Sequence, residues 1–157
     1  MSTVDHTTFV VERDLPGSPA HAFRFWAEPA LKRRWTDCHP EWTVLEDLFD
    51  FRIGGIEAKH WRMPDGQEMT FRAHYLDIVP GQRILYAYEM TFGGQRVSAS
   101  LATIELLPAG SRTRMKFTEQ AAFLAGGEGA RRQRIGGTED VFDGLVEVMR
   151  RDLAGGL

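Results

Sequence analysis

The chain has 157 residues, a net charge of −3, 43% hydrophobic residues and 26% charged ones. That balance fits one globular domain spanning 1–157, with its core from about residue 7 to 154, and it is enough chain to bury a sizeable core. It excludes a general nucleic-acid binder, which carries a basic footprint, and no apolar run nears the roughly 18 residues of a membrane span.

The single cysteine, Cys38, has no internal disulfide partner, and the N-terminus MSTVDHTTF lacks the charged-then-apolar pattern of a signal peptide. Both point to a reducing, cytoplasmic setting.

Residues 7–15, TTFVVERDL, read as a strand. Ser18-Pro19 then supplies a cap and a first-turn proline, with Phe23, Phe25 and Trp26 on the apolar side of a short helix. Pro29 opens a second helix that ends near Trp35, and TDCHPE is a loop. From Glu41 the pattern changes to strands: EWTVLEDLF, IEAKHWRM, EMTFRAHYLDIV, RILYAYEMTF, RVSASLATIELL and SRTRMKFTEQAAF. Short Gly-containing turns separate most of them, the mark of an antiparallel meander. Gly54-Gly55 reads as a bend; it lacks the glycine spacing and lysine of a phosphate loop. The last third is helical from about Ala130, with Phe142, Leu145, Met149 and Leu153 three or four residues apart and Gly155-Gly156 at the end. Gly136-Gly137 predicts a kink there, or a close approach to the sheet.

Turn chemistry propagates a register. A two-residue Asp65-Gly66 loop sets His60 opposite Phe71. A Gly81-Gln82 loop pairs Tyr75 with Tyr88. A Gly93-Gly94 loop pairs Tyr88 with Ala99 and Tyr86 with Leu101. A three-residue Pro108-Ala109-Gly110 loop pairs Ala99 with Glu119 and Leu101 with Phe117. One face then collects Ile56, Ala58, His60, Phe71, Ala73, Tyr75, Tyr86, Tyr88, Met90, Phe92, Val97, Ala99, Leu101, Met115, Phe117 and Glu119. The other collects Glu57, Lys59, Arg72, His74, Glu89, Ser98, Ser100, Arg114, Lys116 and Thr118. The C-terminal helix is the cover for the apolar face.

The stretches FRFWAEPALKRRW, FRIGG, DIVPGQRILYAYEM, VSASLATIEL, MKFTEQAAFL and the final helix resemble the START-like (SRPBCC) superfamily. Within it they are most similar to the activator-of-heat-shock-ATPase homology branch. The likeness runs from about Phe9 to Leu153. It implies an α+β helix-grip fold: a curved antiparallel sheet wrapped on a long C-terminal helix, with two short helices after the first strand and a cavity between sheet and helix. The superfamily includes lipid carriers, hormone receptors, aromatic polyketide cyclases and chaperone regulators, and no shared catalytic motif selects among them.

Glu119 stands out because a carboxylate on an apolar face is costly unless paired. It reads as a ligand anchor or a general acid or base, or else as a structural ion pair with Arg131, Arg132 or Arg134. His60 reads as a ligand contact or proton shuttle, or as a core histidine satisfied by backbone or water. Tyr75, Tyr86 and Tyr88 are all of the chain's tyrosines and share the face, where phenols seek partners. Phe142 and Leu145 form a lid or simply core, Met90 and Met115 are adaptable fillers, and Phe71, Leu101 and Phe117 complete the apolar wall. Asp37-Cys38-His39-Pro40-Glu41 is read as a polar loop; no metal and no cofactor is expected.

The favoured function is binding of a small hydrophobic ligand, aromatic or lipid-like, in a cavity between the sheet and the C-terminal helix. A cyclase or dehydratase using Glu119, His60 and Tyr86 is the alternative. A chaperone-interacting module is the third reading, weakened because only the lone homology domain is seen. An exposed edge strand gives a route to a homodimer.

Overall fold

In the computed structural model, residues 3–155 are described. Strand β1 (Asp5–Leu15) leads into helix α1 (Pro19–Ala27), where the Ser18 side chain accepts from the His21 N–H at 3.2 Å and Pro19 occupies the first turn. Glu28 ends α1 and begins α2 (Pro29–Thr36), so the two short helices meet at a corner. The meander follows: β2 (Thr43–Phe49), β3 (Ile56–Arg62), β4 (Glu68–Val79), β5 (Arg83–Phe92), β6 (Gln95–Ala109) and β7 (Arg112–Phe123). Helix α3 (Gly127–Gly155) closes the chain.

All seven strands form one antiparallel sheet in the order β1-β7-β6-β5-β4-β3-β2. The first strand therefore pairs with the last, and α3 packs chiefly over β1 and α2. This is the helix-grip arrangement expected above. None of its helices is long and apolar enough to cross a membrane among the described residues.

Helix α3 begins at Gly127, three residues before Ala130, and runs without interruption. The helix continues through Gly136-Gly137, and neither glycine makes the close approach to the sheet: a Cβ added at either meets nothing within 4 Å. Gly156, expected to help end the helix, lies outside the described residues.

The register departs from expectation in each hairpin of the meander. Between β3 and β4 the loop has three residues, Pro64-Asp65-Gly66, with the Met63 N–H donating to the Gln67 carbonyl at 2.8 Å. Lys59, rather than His60, therefore faces Phe71. That one-residue slip carries Glu57, Lys59 and Trp61 to the inner face and Ile56, Ala58 and His60 to the outer one.

Between β5 and β6 the Gly93-Gly94 turn is as expected, but the register shifts beside Met90, leaving Val97 as a bulge. Tyr88 then faces Ser100 and Tyr86 faces Ala102. The β6–β7 turn is two residues, Gly110-Ser111, and sets Ala102 opposite Glu119 and Ile104 opposite Phe117. Strand β6 accordingly turns Ser98, Ser100, Ala102, Ile104 and Leu106 inward, all buried, and puts Ala99 and Leu101 on the outer face.

Between β4 and β5 two departures cancel. The loop is three residues, Pro80-Gly81-Gln82, and a bulge at Leu76 shifts the register back. Tyr75 pairs with Tyr86 and Phe71 with Met90, still on the expected face.

The inner face and the helices enclose a core of Phe9, Val11, Phe25, Trp26, Ile104, Met115, Phe117, Phe142, Leu145 and Met149, among others. Phe142 links the layers, with its ring centroid 4.9 Å from that of Phe117, 6.0 Å from Trp26 and 6.2 Å from Trp35. In urea unfolding, Ile104→Ala is expected to cost about 2–5 kcal/mol, as for other large-to-small core changes. Leu101→Ala, on the outer face, should cost about 1 kcal/mol or less; a reversed ranking would contradict this register.

Candidate functional site

Glu119 is fully buried on β7, and its neighbours arrive from three other elements. The Tyr88 hydroxyl on β5 lies 2.7 and 2.8 Å from its two carboxylate oxygens. Ser100 Oγ on β6 donates at 2.7 Å, and Arg134 Nη1 on α3 donates at 3.0 Å, both to Oε2. Arg134 also donates from Nη1 to the Tyr88 oxygen at 2.9 Å and from Nη2 to Ser98 Oγ at 2.7 Å. Its guanidinium lies 5.5 Å from the Tyr88 ring centroid and 5.3 Å from that of Phe123. Burial, and then the Glu119 charge, push the Tyr88 phenol well above the ordinary tyrosine range, so it remains a donor. Of the three arginines offered as partners, Arg134 is the one. Arg131 turns toward Asp5, 3.8 Å away, and Arg132 pairs with Glu128 at 3.1 Å.

A second buried acid lies across the sheet. Glu57 on β3 accepts from the Tyr75 hydroxyl at 2.6 Å and from Lys32 Nζ on α2 at 3.2 Å. Both members are almost wholly buried, Glu57 at 5% exposure and Lys32 at 7%. The ammonium sits 4.9 Å from the Phe49 ring centroid, 5.3 Å from Trp26 and 5.6 Å from Trp35. Burial opposes ionisation of Glu57, but the Lys32 charge, the Tyr75 hydroxyl and Lys59 outweigh it and hold the carboxyl below its ordinary value. Burial pulls the Lys32 ammonium down, with Glu57 resisting.

Tyr86 stands between the two networks, its ring 5.7 Å from that of Tyr75 and 5.8 Å from that of Tyr88. Among the described residues its hydroxyl has no hydrogen-bond partner, unlike those of its two neighbours.

Between these groups and the N-terminal half of α3 lies a cavity of about 770 Å³. Of the candidate site residues offered by the sequence, Phe71, Tyr86, Tyr88, Met90, Phe117, Glu119 and Phe142 line it. Trp26, Trp35, Trp42 and Trp61 add four indole rings, and Gly137 and Thr138 of α3 form part of its roof. The exposed side chains of Phe92 and Val141 also line it, so the space reaches the surface.

The other expected site residues lie elsewhere. Tyr75 is buried behind the cavity on Glu57, and Met115 and Leu145 belong to the packed core. Leu101 is on the outer face because of the Val97 bulge. His60 is on the outer face because of the three-residue loop, and its Nε2 lies 2.6 Å from Glu68 Oε1. Glu119, His60 and Tyr86 therefore do not assemble as a trio.

Sequence reasoning missed Lys32, Glu57, Lys59, Ser98 and Ser100. Glu57, Lys59 and Trp61 alternate with Ala58 and His60 so evenly in polarity that only the loop length decides which set points inward. For Lys32 there was no local signal, since the rings around it come from α1, α2 and β2. In the Asp37–Glu41 loop, His39 Nδ1 accepts from the Glu41 N–H at 3.1 Å, and no cluster of three metal-ligating side chains forms among the described residues.

A curved sheet gripping a long helix, with a polar-based cavity between them, defines a START-like protein. This chain belongs to the family described as Activator of Hsp90 ATPase homolog 1-like protein, whose model matches residues 16–150. It is similar to an uncharacterised protein of Rhizobium leguminosarum, at 42% identity over 96% of this chain and 99% of that one, with a TM-score of 0.88. A Rhizobium loti protein matches at 41% identity, 93% and 99% coverage and TM-score 0.85. A Chromobacterium violaceum protein, 22% identical over 90% of this chain and 96% of that one at TM-score 0.72, shares the fold. No curated protein matches the chain.

Glu57 makes a pH-dependent prediction. With its folded value below the ordinary 4.5, its contribution to stability is present above that value and lost as the pH falls through the folded one. Urea unfolding should show wild-type stability declining between about pH 5 and pH 3. Glu57→Gln should be less stable at pH 7 and decline less steeply in acid. An acid limb of unchanged steepness in this variant would clear Glu57 of the role.

Proposed function

We propose that this protein binds a small, largely apolar ligand, aromatic or lipid-like, between the sheet and α3. One observation carries the reading: a space of about 770 Å³ persists beneath a helix that side-chain networks fix in place. Protein interiors are normally close-packed, and sites for drug-sized ligands run to about 300–1,000 Å³ with mostly apolar walls and a few convergent polar groups. Phe71, Met90, Phe117, Phe142 and the indoles supply the walls, and Tyr86 and Tyr88 stand at the polar base. Turnover by the expected acid–base set has less behind it. Glu119 already accepts from three side chains, and His60 is on the far face of the sheet.

A thermal-shift screen of aromatic and lipid-like compounds tests the reading. A ligand at a hundred times its Kd stabilises by about 2.7 kcal/mol, which for a chain of this size raises Tm by about 5–10 °C. Gly137→Trp should abolish the shift while the unliganded protein stays folded, because Gly137 lines the cavity and a Cβ there meets nothing within 4 Å. A shift that survives in Gly137→Trp would put the ligand elsewhere.

A further inference from the structure

The charges around the cavity do not balance. Lys32, Lys59 and Arg134 line it, against Glu57 and Glu119. Arg134 is taken by Glu119 at 3.0 Å and Lys32 by Glu57 at 3.2 Å. Lys59 is left over. Its nearest acid, Asp47, is 3.7 Å away, at the long limit of an ion pair, and is shared with Arg33 at 3.8 Å. The Lys59 side chain is only 12% exposed. Its charge is close enough to help hold both Glu57 and Lys32 down. A loosely paired, nearly buried cation in an apolar wall attracts an anion more strongly than the same cation in water does.

We propose that the cavity's ligand is an aromatic or apolar carboxylic acid whose carboxylate meets the Lys59 ammonium. The assignment rests on the reading of the cavity as a ligand site. A cationic ligand finds no vacant acid, since Glu119 accepts from Tyr88, Ser100 and Arg134, and Glu57 from Tyr75 and Lys32. A single loosely paired ammonium suits a monoanion better than a doubly charged phosphate. Next to Lys59 on the inner face are Phe71, its cross-strand partner, and Trp61, two residues on. Trp61 meets Trp42 edge-on at 6.3 Å, so the ligand's apolar body has rings to lie against.

The test is a matched pair of probes, 2-naphthoate and its neutral amide 2-naphthamide, titrated against the whole chain with the cavity tryptophans as reporters. The acid should bind roughly tenfold or more tighter than the amide, the size of a charged hydrogen bond. Lys59→Met should bring the acid down to the amide's affinity and leave the amide unchanged, and Lys59→Arg should retain the preference. Equal binding of the two probes by wild type would overturn the anion assignment while leaving the cavity reading intact. A preference that survives in Lys59→Met would overturn the role of Lys59. Failure of both probes, and of decanoate and decanol besides, would count against both readings. Should Lys59→Met not fold, the wild-type comparison decides.

Discussion

The account turns on one buried ion pair. Arg134 reaches down from α3 to Glu119 on β7 and, in the same span, to Tyr88 on β5 and Ser98 on β6. The C-terminal half of α3 needs no such device, because Phe142, Leu145 and Met149 pack into the core. The N-terminal half has Ala130, Gln133, Gly137 and Thr138 over open space. Hydrophobic burial would draw a helix down until such a space closed. A planar guanidinium with several fixed donors sets a spacing instead. The helix is thus packed at one end and propped at the other, and the cavity lies under the propped end.

The second pair repeats this logic. Lys32 and Glu57 join α2 to β3, with Tyr75 completing the acid's contacts. Taking charges out of water costs several kcal/mol per ion, and their attraction offsets this only with good geometry and further hydrogen bonds. Both acids here have those additional donors. Such pairs contribute little net stability over an apolar substitute, yet breaking one partner away is costly. Their value in this fold is positional: each holds a helix against the sheet without filling the interior with side chains. Tyr75, Tyr86 and Tyr88 run between the two acids, and the middle phenol, alone of the three, is unpartnered among the described residues.

Much of the architecture was legible from the sequence, because strand alternation, helix caps and Gly-bearing turns each act locally. Glu119, Tyr86, Tyr88, Phe71 and Phe117 came out on the correct face, Glu119 and Phe117 because the β6 bulge and the two-residue β6–β7 turn offset one another. Parity failed for β3 and β6, where single residues decide. Pro64 joined the loop and turned His60 outward, and the Val97 bulge exchanged Leu101 for Ser100. In β6 the apolar positions Val97, Ala99 and Leu101 argued for the wrong face. Ser98 and Ser100 point inward because Arg134 and Glu119 bind their hydroxyls, a tertiary reason invisible within the strand. At β4 a three-residue loop and a bulge cancelled, so Tyr75 was oriented correctly by compensation. The Gly136-Gly137 pair looked like a defect in the helix and is instead missing bulk, at Gly137, in the cavity roof.

The central claim is that the Arg134–Glu119 contact couples helix to sheet. A double-mutant cycle in urea unfolding, with Glu119→Leu, Arg134→Met and the pair, measures it most directly. The account predicts a favourable coupling of about 2 kcal/mol or more, with the double variant more stable than the sum of the single losses implies. Additivity to within about 0.5 kcal/mol would contradict it.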